Sequence, residues 1–471
     1  MRKTKIICTI GPASSSYETL KEMMNAGMNV ARINFSHGSW EDQKEKVDLI
    51  KRVRNDLQLP VAILIDTKGP EIRTGIFDEP VELRKNQFFT LKCDNSKGCE
   101  TSVSISYKKL SNDVKKGNKI LVDDGKIELK VVSINDGHVK CKVINEGIIS
   151  SNKSINVPGV RIELESLTKK DKEDILGAIK NKADFIAASF VRTKEDVLAI
   201  KKILNRHHSD IKIISKIENI EGVENFNEIL KVSDGIMIAR GDLGVEIPFY
   251  EVPIIQKEFI RKCIFFGKPV IIATQMMESM IESPNPTRAE VSDVANAIFD
   301  GTSAVMLSGE TAVGKYPIKC IKKMNEIATR IENNIDYWEF FKKRDMINNN
   351  IEFIINHSMC TTALNSKAKA IFCYTYEGDT PRIISSFRPS CPIYVITSNK
   401  RIYYKSGLMW GLNLTYVRKE KEPKQMILNN IERYKKKNLI NKDDIVIIAG
   451  GKYIENDKRD INKSIGGIYK I

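Results

Sequence analysis

Along the first two-thirds of the chain, short apolar runs alternate with longer stretches in which apolar residues recur every three or four positions. Eight of the runs read as buried strands, at residues 5–10, 29–34, 61–66, 184–189, 211–216, 235–239, 269–274 and 303–307. Helical periodicity fills most of the gaps, as at 17–25, 41–54, 194–205, 252–266 and 288–299. Eight strand-then-helix units of roughly 25 to 35 residues predict a closed parallel (β/α)8 barrel of the TIM type.

One gap is too long for a single unit. Between Asp66 and Asp184 the period drops to two, with turn signals at Asp94-Asn95, Lys116-Gly117-Asn118, Asp124-Gly125, Asp136-Gly137 and Pro158-Gly159. This predicts a small all-β domain, a β-barrel over 70–156, inserted after the third strand. Helix 169–181 then resumes the larger barrel, which takes 1–69 and 157–335. An Asn-rich linker follows Asn333 and includes Asn348, Asn349 and Asn350. Residues 345–471 read as an open α/β domain with strands at 370–374, 393–397, 414–417 and 445–449.

Composition narrows the class. The 471 residues are 42% hydrophobic and 29% charged, and no run of about 18 apolar residues exists to span a bilayer. The basic start, Met1-Arg2-Lys3, precedes an apolar run too short for a signal sequence, so a cytoplasmic protein is expected, with no targeting segment and no membrane partner. Nine scattered cysteines, an odd number with no C-x-x-C pair, suit a reducing compartment, and five histidines make a zinc site improbable. The net charge of +15 is spread over nearly every polar face, without a zinc finger, RNP or helix-turn-helix signature, which argues against nucleic acid. A positive field also favours phosphorylated substrates.

In such a barrel the chemistry stands where strands end and loops begin. Strand two ends in Arg32-Ile33-Asn34-Phe35-Ser36-His37-Gly38, strand three in Asp66-Thr67-Lys68-Gly69-Pro70-Glu71-Ile72-Arg73, and strand five in Lys216-Ile217-Glu218-Asn219. Strands six to eight run into Arg240-Gly241-Asp242, Thr274-Gln275-Met276-Met277-Glu278 and Ser308-Gly309-Glu310-Thr311. Taken singly, Glu218 reads as a helix-start acid, Lys216 as a surface lysine and Arg32 as an ion-pair partner. Six strand ends carrying such groups together read as a site. Glu218 and Asp242 suit a magnesium ion that leaves positions for water and substrate. Alternation puts Lys216 on the same side as Glu218, where an ammonium stabilises a transferring phosphoryl group or an enolate. Arg32 and Arg73 offer planar forks for phosphate oxygens. Asn34, Ser36, Asp66 and Thr67 gather oxygens suited to a monovalent cation, and Gly241 permits close approach of a carboxylate to the backbone.

The runs ARINFSHG (31–38), DTKGPEIR (66–73), SKIEN (215–219), IARGDLGVE (238–246), ATQMMESM (273–280) and MLSGETA (306–312) closely resemble the pyruvate kinase family, in its order and over the whole chain. The resemblance implies phosphoryl transfer from phosphoenolpyruvate to ADP, giving ATP and pyruvate in the last step of glycolysis. It implies magnesium (or manganese) on Glu218 and Asp242, and potassium on Asn34, Ser36, Asp66 and Thr67, with Glu71 the residue type of potassium-requiring members. Lys216, Arg32, Thr274 and Ser308 are the implied catalytic group, and Gly241 and Asp242 join Arg32, Lys216 and Thr274 around the substrate. Asn34, His37, Arg73 and Lys153 are implied at the nucleotide. A homotetramer is also implied.

The chain departs from the family at two C-terminal loops. The loop that commonly cradles a sugar phosphate reads Thr375-Tyr376-Glu377-Gly378-Asp379-Thr380, and its two carboxylates repel a phosphate dianion. The second loop reads Gly451-Lys452-Tyr453-Ile454-Glu455-Asn456-Asp457-Lys458, so activation by fructose bisphosphate is expected to be weak or absent, with Lys452, Lys458 and Arg459 left for another anion. Ser303 stands where relatives often carry aspartate, a change expected to touch only the support of the site. Two rivals remain: a magnesium-dependent lyase or aldolase acting on an enolate, which needs no ADP, and a basic binding protein that has lost turnover.

Overall fold

The computed structural model describes residues 2–36, 38–342, 350–418, 423–450, 453–455, 458–460 and 466–471. Eight parallel strands close into a barrel in sequential order: Lys5–Thr9, Val30–Asn34, Ala62–Asp66, Phe185–Ala188, Lys212–Ile217, Gly235–Ala239, Val270–Ala273 and Ala304–Leu307. Each strand end lies within one residue of the position read from the apolar runs, because a continuous β-branched run bounded by polar turns leaves little latitude. Alternation divides the strand residues in two. Ile7, Val30, Leu64, Phe185, Ala187, Ile214, Met237, Ile271 and Met306 pack against one another in one cluster. Their neighbours Ile6, Cys8, Ala31, Ile33, Ile63, Ile65, Ile213 and Ile236 pack with the helices in another. The first set fills the barrel and the second glues the helical ring to it.

Helix Lys169–Lys180 shows how close that ring sits. Its N-cap Thr168 and Asp171 form a reciprocal capping box. Trp40 of helix Trp40–Asp56 donates its indole N–H to Asp174 O at 3.1 Å. A Cβ added at Gly177 would stand 2.0 Å from the Trp40 Nε1 atom. Gly177→Ala is therefore expected to destabilise by about 1–3 kcal/mol through overpacking, outweighing alanine's better helix propensity. Urea unfolding measures it, and an equal or higher midpoint would show that the indole yields freely.

The unit inserted between the third strand and helix Lys169–Lys180 is a seven-stranded sheet plus a two-stranded ribbon, with one short helix, Leu110–Asp113, that the sequence reading did not foresee. Its edge strands Ile72–Arg73 and Ser102–Ser104 are drawn together by Gly75 N–H to Ser104 O (2.7 Å) and Ser106 N–H to Arg73 O (2.9 Å). The unit leans over the barrel rim, where Asn156 donates to Glu246 Oε1 at 2.8 Å and Arg192 donates to the carbonyls of Ile162 and Leu164.

The C-terminal sheet has four parallel strands, in the order Leu412–Tyr416, Ile393–Thr397, Ala370–Tyr374 and Ile445–Gly450. An antiparallel edge strand, Gly466–Lys470, follows that the sequence reading lacks, because two adjacent glycines read as a turn. Part of the stretch taken as linker is helical, Tyr337–Lys342, while Asn348 and Asn349 lie outside the described residues. Ser303 is also corrected. It lies at the opposite end of the eighth strand from Ser308, where its hydroxyl accepts from Arg388 (3.0 Å) and Val270 N–H (3.2 Å), so it ties the barrel floor to the C-terminal domain. Among the described residues no helix is long and apolar enough to cross a membrane.

Candidate active site

The alternation that fills the barrel with apolar side chains also sets what caps it. Two residues beyond Ile7, Val30, Leu64, Ala187 and Ile214, on the same inward side, come Thr9, Arg32, Asp66, Ser189 and Lys216. These five form one hydrogen-bonded layer at the carboxyl ends of the first five strands. Arg32 Nε pairs with Asp66 Oδ2 at 2.7 Å and Arg32 Nη1 donates to Thr9 Oγ1 at 2.8 Å. Lys216 Nζ lies 3.2 Å from Asp66 Oδ1 and 2.8 Å from Ser189 Oγ, and it reaches Glu218 Oε1 at 2.9 Å. Ser189 Oγ in turn donates to Thr67 O at 2.7 Å.

Charge balance follows from burial. Lys216 is 9% exposed, and Asp66 and Glu218 are 1% exposed each. Burial opposes the Lys216 ammonium, yet Asp66 and Glu218 outweigh it and hold its pKa well above the ordinary lysine value. Burial likewise opposes the Asp66 carboxylate, and Lys216 and Arg32 overcome it, so Asp66 stays below the usual carboxylate range. Glu218 is pushed up to about 7 by burial, with Asp242 adding to the rise and Lys216 opposing it. Asp242 is raised too, first by burial, with Asp124 of the inserted unit adding to the rise and Lys216 opposing it. Two neighbouring carboxylates are thus left with less positive charge than they need.

That deficit is the test of a divalent cation here. Glu218 Oε2 accepts Phe190 N–H at 2.6 Å, and Asp242 opens into a cleft of about 740 Å³ between barrel and insert. Among the described residues no three His, Cys, Asp or Glu side chains gather as metal ligands. The donor set is therefore two carboxylates with room beside them, which fits an ion that keeps water and substrate oxygens in its remaining positions. Asn34 pairs in register with Asp66, and its Oδ1 accepts Ser36 N–H at 3.0 Å. Thr67, the residue after Asp66, donates its hydroxyl to Ala187 O at 3.3 Å.

Thr274 sits at φ +67° and Gln275 at φ +52°, an outlier for a β-branched residue that costs about 1–3 kcal/mol. Arg240 holds it. Its Nη2 donates to Thr274 O at 2.8 Å and Gln275 O at 3.2 Å, and its Nη1 pairs with Asp293 at 2.7 Å. Thr274 Oγ1 thereby accepts Gly241 N–H at 2.8 Å and donates to Ala273 O at 2.6 Å. Ser308 Oγ is buried without a hydrogen-bond partner.

Other sequence candidates lie apart from this layer. Arg73 is committed to Glu71 (2.6 Å) and to Asn152 O (2.7 Å), and Lys153 to Asp123 (2.9 Å). Arg73, Asn34 and Ser36 line the same cleft as Asp242. His37 lies outside the described residues, as do the side chains of Lys452, Lys458 and Arg459. Three participants escaped the sequence reading: Ser189, Thr9 and Arg240 as a brace. Their signal was positional, since each closes a strand on the inward parity or opens the loop after it.

Comparison with known proteins points one way. The pyruvate kinase barrel domain matches residues 1–321 and the pyruvate kinase alpha/beta domain matches 354–462. The chain is 46% identical over 455 residues to a pyruvate kinase of Clostridium acetobutylicum, covering 96% of both. It is 46% identical over 455 residues to one of Staphylococcus epidermidis, covering 96% of this chain and 78% of that protein. A solved pyruvate kinase structure from Cryptosporidium parvum superposes with a TM-score of 0.94 at 38% identity, over 100% of this chain and 96% of the other.

Proposed function

The chain belongs to the pyruvate kinase family of phosphotransferases, and from that premise we propose how its own residues move a phosphoryl group from phosphoenolpyruvate to ADP. The observation that carries the assignment is the buried Lys216 ammonium, locked between Asp66, Ser189 and Glu218 at the barrel's carboxyl rim. A cation that is fixed before substrate arrives needs no reorganisation when charge develops.

Arg32, oriented by Asp66 and Thr9, presents its remaining N–H groups to the phosphate. Gly241 lets the substrate carboxylate approach the backbone, beside the Thr274 hydroxyl that Arg240 fixes. Lys216 faces the bridging oxygen as the bond to phosphorus breaks, and then holds the enolate until a proton reaches its methylene carbon. Thr274 and Ser308 Oγ, the latter with hydrogen-bonding capacity unspent, orient the water or group that delivers that proton. Glu218 and Asp242 would hold magnesium or manganese, which supplies positive charge shared with phosphoryl and carboxylate oxygens. Asn34, Ser36, Asp66 and Thr67 would hold potassium. Asn34, His37, Arg73 and Lys153 would meet the nucleotide as it enters the cleft, Arg73 and Lys153 after exchanging their present carboxylate partners for phosphate. The protein would act in the cytoplasm as a homotetramer.

A coupled assay for pyruvate tests the reading. Product should form only with both phosphoenolpyruvate and ADP, and potassium should raise the rate. Pyruvate released without ADP would favour a lyase, and salt-sensitive nucleic-acid binding with no turnover would favour a binding protein. Fructose bisphosphate should lower half-saturating phosphoenolpyruvate weakly or not at all, since Glu377 and Asp379 flank Gly378 in the loop whose Thr375 Oγ1 already accepts Gly378 N–H at 2.9 Å. A clear drop in that value would overturn this part.

A further inference from the structure

No residue of helix Lys169–Lys180 lines the cleft beside Asp242, yet the first turn of that helix holds two of the loops that do. Lys170 Nζ donates to Gly38 O at 3.0 Å, in the loop after the second strand. Asp171 Oδ1 accepts Gly69 N–H at 2.9 Å, in the loop after the third. Both glycines turn the chain in the left-handed region, at φ +81° and +72°, so each loop is caught at its bend. Asn34 and Ser36 stand just before the first contact, Glu71 and Arg73 just after the second, and all four line the cleft. Two adjacent residues on one helix thereby fix two neighbouring walls relative to each other.

Asp171 has a second employment, as partner of Thr168 in the capping box, and helix stability alone accounts for it. Lys170 has no such explanation. A cation in the first turn meets the positive end of the helix dipole, where it is disfavoured. Its ammonium is instead drawn to Asp174, one turn on, with Nζ 3.3 Å from Oδ2; the Asp174 side chain is 3% exposed. Burial pushes the Asp174 carboxyl up to about 6, with Asp171 and Glu173 adding to the rise and Lys170 opposing it, so carboxylate and ammonium each steady the other. The same stretch of helix grips the loop a second time. Asp174 O accepts the Trp40 indole N–H at 3.1 Å, and Trp40 packs on buried Phe35 with ring centres 4.5 Å apart. Phe35 N–H in turn donates to the carbonyl of Asp66, the residue that orients Arg32 and Lys216.

We propose that Lys170 is a positioning residue of the phosphoryl-transfer site: aimed by Asp174, it pins Gly38 O to helix Lys169–Lys180 and so holds Asn34 and Ser36 at the distance from Arg73 that the phosphates of the nucleotide require. This rests on the reading of Asn34 and Arg73 as nucleotide contacts. Lys170 touches no reacting atom, so its loss loosens the place of one substrate and spares the chemistry.

Steady-state kinetics of the full-length protein, varying each substrate with the other saturating, test the proposal. K170M should raise KM for ADP about tenfold, the scale of one hydrogen bond from a charged donor, and leave KM for phosphoenolpyruvate and kcat close to native. K170R keeps a charged donor in place and should recover most of the loss. D174N should reproduce part of it, and carries the same test should K170M melt early. K172M, an exposed lysine of the same helix, should behave as the native chain does. Native KM for ADP in K170M, or equal rises for both substrates, overturns the positioning role. Hydrogen exchange without any substrate tests the tie by itself. The amides of Phe35, Ser36 and Ser39, bonded to Asp66 O, Asn34 Oδ1 and Asp42 Oδ2, should exchange faster in K170M, and unchanged exchange overturns the tie. Failure of the native chain to form pyruvate from phosphoenolpyruvate and ADP, with exchange still faster in K170M, overturns the reading of the site and leaves the tie standing.

Discussion

Lys216→Met is expected to lower turnover by about a hundredfold or more, the scale of removing one preorganised cation from developing charge. The methionine keeps most of the volume and deletes the ammonium that Asp66, Ser189 and Glu218 surround. Two consequences then separate. Chemistry loses its electrostatic partner, which lowers kcat. Folding also suffers, because two carboxylates that are 1% exposed lose a shared counter-charge, and breaking a buried pair costs about 3–5 kcal/mol. Thermal unfolding with and without magnesium distinguishes them. A variant that melts lower yet turns over at the native rate would remove Lys216 from the chemistry and leave it a purely structural cation. Lys216→Arg is the sharper companion, since it keeps the charge but places a planar fork in a slot shaped for three tetrahedral bonds; its kcat should stay well below native while its melting point recovers.

How much of this was legible in the sequence depends on how many constraints each residue carried. Lys216 and Glu218 were readable because an ionisable pair at period two, on the inward parity of Ile214, has no place inside a barrel except at its end. Ser189 and Thr9 were not, since a lone hydroxyl closing a strand looks the same whether it starts a turn or orders a lysine. Parallel pairing of the fourth and fifth strands, with Ala188 opposite Ser215, brings Ser189 to the Lys216 ammonium, 27 positions along the chain. Arg73 shows the opposite limit. Its residue type fits phosphate, and its neighbour Glu71, two positions away, already satisfies it in the absence of substrate. Ser303 was expected to touch only the support of the site, whereas the eighth strand carries it to the end away from Ser308, where its hydroxyl accepts from Arg388 and Val270 N–H. The edge strand Gly466–Lys470 is invisible to periodicity because it is fixed by backbone pairing with Ile445–Ala449 rather than by side chains.

Glu218→Gln probes the other half of the rim. The substitution keeps shape but removes one of the two carboxylates that would hold the divalent ion, and it replaces an acceptor-only group with one that also donates. Both present partners of Glu218 are donors: Lys216 Nζ at 2.9 Å and Phe190 N–H at 2.6 Å. An amide accepts from one and sets its own N–H groups against the other. Loss of an outer hydrogen-bond partner alone weakens metal sites about 10–100-fold, and loss of a ligand should weaken this one at least as much. Manganese binding followed by electron paramagnetic resonance should therefore collapse in Glu218→Gln, and turnover should fall with it at any fixed magnesium concentration. Asp242→Asn should act in the same direction, because Asp242, which raises the proton affinity of the buried Glu218, would be the second carboxylate on the same cation. Native manganese affinity in either variant would place the ion elsewhere, and the cleft beside Asp242 would then have to be read as a substrate passage alone.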